Sequence, residues 1–333
     1  MAQPSLAAQW TVVTGGWTLV SLPVPGGGRD EGPKARESME RVNGIGTGIG
    51  LTAMVAAVLA ACGHAPPAPD SADQGEERRL AGANGWLLGS SLGIGPALPV
   101  VFMHGAGGNH RLFDPQLAEF RGGRRVVAFD QRGCGGSADA PGGNYDLDTR
   151  VRDLGAVLDA IQLDPVVLVG HGTGAQVVAR YAEQNPSRVR GLVLVNPVSG
   201  NADAGRIAGL PEPEFRPAVE RWLGVLLEGA SPEARQRVLA SVGVARVPAM
   251  RSMLADAAGT ELPAMLASYP GPVLVLAAPD EPVPGPLRPG IEVRRLSGGS
   301  HWAPPDEPDE VNAQLREFFH PLDAAAGRRR RSG

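Results

Sequence analysis

Lysine is almost absent: Lys34 is the only one in 333 residues, and arginine carries the remaining basic charge. With a formal net charge of -4 the chain has no general pull toward nucleic acid or an anionic surface, so no nucleic-acid partner is expected. Cysteine is equally scarce. Cys62 and Cys134 are too few for a disulfide framework or for the ligand cluster of a structural zinc site, and neither a metal nor a cofactor is expected. No long uninterrupted hydrophobic run is present either: residues 44–61 are apolar but short and rich in glycine, a poor spanning helix. Abundant Ala, Gly, Pro and Arg reflect coding bias more than chemistry.

The length suits one full hydrophobic core with a terminal extension better than two equal domains. Residues 1–62 read as an N-terminal extension plus an export signal, with Met39 an alternative start. The small apolar run ends in Leu59-Ala60-Ala61-Cys62-Gly63, which resembles the lipobox of bacterial lipoproteins. That resemblance implies lipidation of Cys62 after cleavage, and a membrane-anchored protein of the cell envelope facing away from the cytoplasm. Residues 63–82, rich in Pro, Asp and Ser toward their start, read as a flexible tether. Residues 321–333, ending in an arginine run, read as a disordered basic tail.

From about residue 83, short apolar strands alternate with helical patterns, which predicts a mostly parallel sheet covered on both faces. Strands are expected at 86–88, 98–103, 125–129, 166–169, 192–195, 273–277 and 292–296, and helices at 112–120, 147–161, 174–183 and 311–319. Between residues 201 and 269 no strand pattern occurs. Helix-prone pieces there predict a small helical cap inserted into a core of residues 83–200 and 270–320.

The most informative stretch is Pro165 to Ala175, PVVLVGHGTGA, an apolar strand running into a glycine-punctuated turn and a helix. This is the setting of a nucleophile elbow, G-x-S-x-G, in which glycines flank a serine on a strained turn. Gly170 and Gly174 are in place, with His171 between strand and apex, but the apex itself is Gly172.

Several motifs in order and spacing make residues 96–320 resemble an α/β-hydrolase fold protein. His104-Gly105-Ala106-Gly107-Gly108 after a strand is similar to the family's oxyanion loop, and the resemblance implies the backbone N–H groups of Ala106 and Thr173 as oxyanion donors. Phe129 to Ser137, FDQRGCGGS, resembles the D-x-R-G-x-G-x-S loop, in which Asp130 and Arg132 would tie a tight turn. Its DQRGCG portion is similar to proline iminopeptidases, from which the elbow sequence and the shorter cap differ. Ala278-Pro279-Asp280-Glu281-Pro282-Val283 resembles the acid turn, register favouring Glu281 over Asp280. Ser300-His301-Trp302 resembles the histidine turn, which implies His301 as general base. His171 is expected to pack inside the elbow, and the Thr173 hydroxyl to point away from the apex rather than replace the nucleophile.

Three readings stay open. The chain belongs by resemblance to an ester, lactone or amide hydrolase lineage acting on a small apolar substrate, and His301 activates water or substrate without a serine, as the base does in cofactor-free dioxygenases of this fold. Alternatively it is a noncatalytic protein binding a small ligand or a protein partner at the envelope, like the N-myc downstream-regulated proteins, which also carry glycine at the apex. The third is an active hydrolase in which serine was changed to glycine. Altered or weak catalysis is slightly favoured, because a decayed site has no need of His301. The oligomeric state is left open.

Overall fold

The computed structural model describes residues 8–13, 16–21 and 77–332. The apolar stretch 44–61, the lipobox with Cys62, and residues 63–76 of the expected tether lie outside the described residues. The chain divides into two units, residues 1–68 and 69–333. Within the first, β1 (Ala8–Val13) and β2 (Gly16–Ser21) pair as an antiparallel hairpin.

The second unit is built on an eight-stranded sheet. Its strands are β3 (Glu77–Gly82), β4 (Gly85–Leu92), β5 (Val100–Met103), β6 (Val126–Phe129), β7 (Val166–His171), β8 (Val189–Val195), β9 (Val273–Ala277) and β10 (Ile291–Arg295). Their spatial order is β10-β9-β8-β7-β5-β6-β4-β3. The six strands from β10 to β6 run parallel, and β4 and β3 close the far edge as an antiparallel hairpin. The central strands are almost wholly apolar because helices cover both sheet faces, and period-2 alternation then sorts residues between two cores rather than between core and water.

On one face Val101, Met103, Val127, Phe129, Leu168 and Leu194 pack under α2 (Leu147–Ala160) and α3 (Gly174–Gln184). On the other, Val100, Phe102, Val126, Val169, Val193 and Leu276 meet α1 (Asp114–Phe120) and the C-terminal helix. The interval expected to be a cap holds five helices, α4 (Ala202–Ala208), α5 (Glu212–Leu226), α6 (Pro232–Val244), α7 (Val247–Gly259) and α8 (Leu262–Ser268). The first four enclose an apolar centre of their own around Ile207, Phe215, Leu223, Val238 and Met253, into which Trp302 and Leu112 of the main body insert. Two more helices, α9 (Ala303–Asp306) and α10 (Pro308–Ser332), end the chain.

Both expected boundaries need correction. The last six residues of the expected tether, Glu77 to Gly82, form strand β3, because their backbone completes the ladder along β4 and Leu80 is buried beneath α2. The region expected to be a disordered basic tail continues α10 as far as Ser332. It is docked at its start: Asp323 accepts the Leu98 N–H at 2.9 Å and pairs with Arg124 at 2.6 Å, while Leu322 and Ala326 pack against the second core. The arginine run suggested a solvated end, but the partly buried Leu322 and Ala326 hold the first turns of this stretch against the body.

Candidate active site

The elbow is made by the passage from β7 into α3. A Cβ added to Gly170 would lie 2.6 Å from the Gly174 carbonyl oxygen, and one added to Gly174 would lie 2.4 Å from the Met103 carbonyl oxygen. Gly170 must therefore lack a side chain for the turn to close on the start of α3, and Gly174 for it to pack against β5. At the apex, Gly172 takes φ +54°, the left-handed backbone of a strained turn.

The other candidate residues converge there from distant parts of the chain. A Cβ at position 172 would meet His301 Nε2 at 3.3 Å and Gly105 Cα at 3.6 Å, so the histidine turn and the oxyanion loop both abut the apex. His301 Nδ1 lies 2.9 Å from Glu281 Oε1, with the histidine 7% and the carboxylate 19% exposed. Asp280 is exposed and makes no contact with His301. Between the two adjacent carboxylates, the geometry brings only Glu281 to the histidine.

Ala106 sits in a tight turn closed by the Gly108 N–H donating to the Gly105 carbonyl at 3.0 Å. Thr173 caps α3, whose first N–H groups have no partner within the helix. Among the described residues neither the Ala106 nor the Thr173 N–H has a protein acceptor, so both are free to donate to a bound oxygen. The loop owes its shape to the buried ring of His104. Burial pushes its pKa down to about 4 and keeps it neutral, so Nδ1–H donates to the Gly105 carbonyl at 2.8 Å and Nε2 accepts the Gln131 N–H at 2.9 Å.

His171 is packed inside the elbow and 2% exposed. Burial, with the His301 ring adding to it, pushes its pKa down to about 3, and as a neutral ring it donates from Nε2 to the His301 carbonyl at 2.8 Å. The same carbonyl accepts from Asn196 Nδ2 at 2.8 Å. Asn196 stands at the end of β8 with φ +44°; it also donates to the Ser300 carbonyl and accepts the Ala278 N–H at 2.7 Å. One buried amide thus ties the acid turn to the histidine turn. The sequence reading missed it, although an Asn-Pro pair directly after a strand is a turn signal and Asn tolerates left-handed backbone.

Of the pair expected to tie the tight turn, Asp130 does so through the Gly136 N–H, and Arg132 does not. Asp130 accepts from His110 through both its backbone N–H and Nδ1, each at 2.7 Å, and from the Gly136 N–H at 2.8 Å. Burial alone would raise this carboxyl, but the hydrogen bond and charge of His110 outweigh it and hold the pKa below the ordinary value. Arg132 reaches away to pair with Asp153 on α2.

Neither remaining nucleophile-bearing side chain replaces a serine. The Thr173 hydroxyl is buried, with no hydrogen-bond partner among the described residues. Cys134 is buried, and burial pushes its thiol up to about 12, leaving it protonated. Among the described residues no group of three or more His, Cys, Asp or Glu is placed to hold a metal ion.

The cap presses on the oxyanion loop. Val242 and Met250 lie 3.0 and 3.1 Å from the position of a Cβ on Gly107. On their far side, Phe215, Val219, Leu223 and Leu239 join them around a cavity of about 240 Å³ within the cap. Met253 and Met265, by contrast, are ordinary core residues, the first in the core of the cap and the second on α8, where it packs into the main core. The Leu226 carbonyl accepts the His301 N–H at 3.3 Å, and Asp306 accepts both the Ser231 and Ser300 N–H groups at 2.8 Å, so the cap is fastened to the histidine turn.

A mostly parallel sheet, a strand-turn-helix elbow at its centre and a carboxylate-histidine pair delivered by later loops define a fold in the hydrolase class. Residues 100–314 match the Alpha/beta hydrolase family, and the chain belongs to that family. RutD of Variovorax paradoxus, a protein named for carbamate hydrolysis, is 35% identical over 195 residues, 55% of this chain and 73% of the relative. The non-heme chloroperoxidase of Streptomyces lividans is 44% identical over 103 residues, which span 30% of this chain and only 37% of that protein. Among solved structures, a thermophilic esterase from Thermogutta terrifontis superposes with a TM-score of 0.65 at 20% identity, over 74% of this chain and 99% of that one, a likeness of fold.

Proposed function

We propose that this protein hydrolyses an ester, lactone or amide bond in a small apolar molecule, with His301 as general base on a bound water or on the substrate itself. The observation that carries the reading is the aim of the histidine: Nδ1 is held by Glu281 at 2.9 Å while Nε2 faces the apex, 3.3 Å from where a side chain on Gly172 would begin. In the hydrolytic form, water gives its proton to His301 Nε2 as its oxygen bonds to the carbonyl carbon. The carbonyl oxygen becomes an oxyanion beside the N–H groups of Ala106 and Thr173, and the leaving group then takes the proton from Nε2. An oxyanion site and a pocket without a complete triad still accelerate such reactions by about 10³ to 10⁴ over water. Relatives named for carbamate and ester hydrolysis support the reaction class.

The missing nucleophile favours a second reading, a noncatalytic protein that binds a small ligand or a partner at the cell envelope. In both, Cys62 carries a lipid that anchors the chain to the membrane, a proposal that rests on the Leu59 to Gly63 sequence. The experiment is hydrolysis of short-chain aryl esters and lactones by the full chain, with and without His301→Ala. Turnover that is lost in the variant is the expected result. Identical rates for the two, at the level of the uncatalysed reaction, would leave the binding reading.

A further inference from the structure

Glu281 reaches His301 only while the turn that carries it keeps its shape, and Asn196 fixes only the first residue of that turn, accepting the Ala278 N–H at 2.7 Å. We propose that Arg295 is a positioning residue that holds the far end, clamping the acid turn so that Glu281 meets His301 Nδ1. This inference rests on the Glu281–His301 pair serving as the base, as above.

Arg295 is the last residue of β10 and stands in register with Ala277, the last residue of β9, so its side chain starts beside the point where the acid turn begins. Strand alternation sends its neighbour to the opposite face. There Arg294 pairs with Glu292 and with Glu317 of α10. Arg295 has other partners: its Nη1 donates to the carbonyls of Ala278 at 2.9 Å, Pro279 at 3.4 Å and Glu281. All of its hydrogen-bond partners among the described residues are main-chain carbonyls of this one turn. Carbonyl oxygens that converge on one point repel each other, and a cationic donor placed among them removes the repulsion and satisfies them together. The turn also carries two adjacent acidic side chains, Asp280 and Glu281, to which the same cation is favourable. Its only other internal tie is the Glu281 N–H donating to the Ala278 carbonyl at 3.2 Å. Without the clamp the turn is free to open and Glu281 to swing to water, as Asp280 already does. His301 Nδ1 then loses its acceptor, and the ring loses the contact that fixes its tautomer and aims Nε2 at the apex. Arg295 is itself exposed, so its replacement leaves the hydrophobic cores untouched and acts on the site first.

Proton NMR of the full chain tests the clamp through the His301 Nδ1–H resonance, assigned by its loss in His301→Ala and carried downfield by its hydrogen bond to a carboxylate. Glu281→Gln should move it upfield, and Arg295→Met should move it the same way or broaden it away. Arg295→Lys, which keeps one cationic donor, should restore part of the shift. Should the methionine variant fail to fold, Arg295→Gln is read in its place. In the Gly172→Ser background Arg295→Met should lower kcat by about tenfold with KM unchanged, and by less than about twofold once Glu281 is already Gln. An unmoved resonance in the folded Arg295 variant, with Glu281→Gln shifted, would overturn the clamp and leave the Glu281–His301 pair standing. Equal kcat losses with and without Glu281 would also overturn it, because an arginine that supports only the general structure gives additive losses. No such resonance in the unsubstituted chain, or one unmoved by Glu281→Gln, would overturn the pair itself and the clamp with it.

Discussion

Restoring a serine at the apex puts the geometry of the site to its sharpest test. Gly172→Ser adds a Cβ 3.3 Å from His301 Nε2 at a residue with φ +54°. Left-handed backbone costs a non-glycine residue about 1 to 2 kcal/mol. For a unit of this size that loss lowers the Tm by about 2 to 8 °C. The contact is tight by a few tenths of an ångström, and the His301 ring can yield because Glu281, at the other end, is partly exposed. From that Cβ a hydroxyl falls within the roughly 2.6 to 3.2 Å that a nucleophile and its base require. Completing a triad in an optimised hydrolase is worth about 10⁶ in kcat; in this scaffold a gain of about 10²-fold on aryl esters is expected. Gly172→Ala serves as the control, since it carries the same backbone cost and offers no oxygen. Thermal unfolding, ester turnover and labelling by a fluorophosphonate, read by intact mass, cover both arms. A folded serine variant that neither labels nor exceeds the alanine variant in turnover would refute the placement of His301 Nε2 at the apex.

Further outcomes follow from the same contacts. In the Gly172→Ser background, Glu281→Gln should lower kcat by about 10² to 10⁴-fold and Asp280→Asn by little, because only Glu281 touches His301; steady-state kinetics that reverse this order would move the acid to Asp280. Asn196→Ala strips a buried amide from three backbone groups, and urea unfolding should show a loss of about 2 to 4 kcal/mol. His104 and His171 are buried neutral, their pKa values pushed from the ordinary 6.5 to about 4 and about 3. Because the unfolded chain binds protons that the folded one refuses, stability should fall as pH drops below 6.5, by up to about 1.4 kcal/mol per pH unit for each histidine, until the folded-state values are reached. Urea midpoints measured between neutral and mildly acid pH check this, and a flat profile would contradict the burial of both rings. Finally, Cys62→Ser should abolish labelling of the chain by radioactive palmitate and release it from membranes on fractionation of a bacterial host that processes lipoproteins.

The parts of the site that were legible in the sequence are those written in short contiguous stretches. A run such as PVVLVGHGTGA specifies its own strand, turn and helix, since flanking glycines are needed wherever backbone passes within 3 Å of backbone. Helical spacing and the lack of strand patterns likewise marked the cap interval. The ends of the fold were misjudged for a related reason. Glu77 to Gly82 and the residues after Pro321 look polar and solvated by composition, yet each offers one apolar edge, Leu80 in the first and Leu322 with Ala326 in the second, that only a neighbouring element can bury.

By itself the sequence determined the fold class, the order of its motifs and the absence of a side chain at the apex, because these are properties of local backbone preference and residue identity. Which of two adjacent carboxylates meets the histidine was decided only in three dimensions. Asp280 and Glu281 share a turn, but packing of β9 beside β8 and the anchoring of Ala278 by Asn196 turn one toward His301 and the other to water. Asn196, His171 and His301 come from three segments more than a hundred residues apart at the extremes, and their shared hydrogen bonds on one carbonyl exist only once the sheet has set the strand ends side by side. Such contacts carry no sequence period, so the tertiary structure alone assigns them.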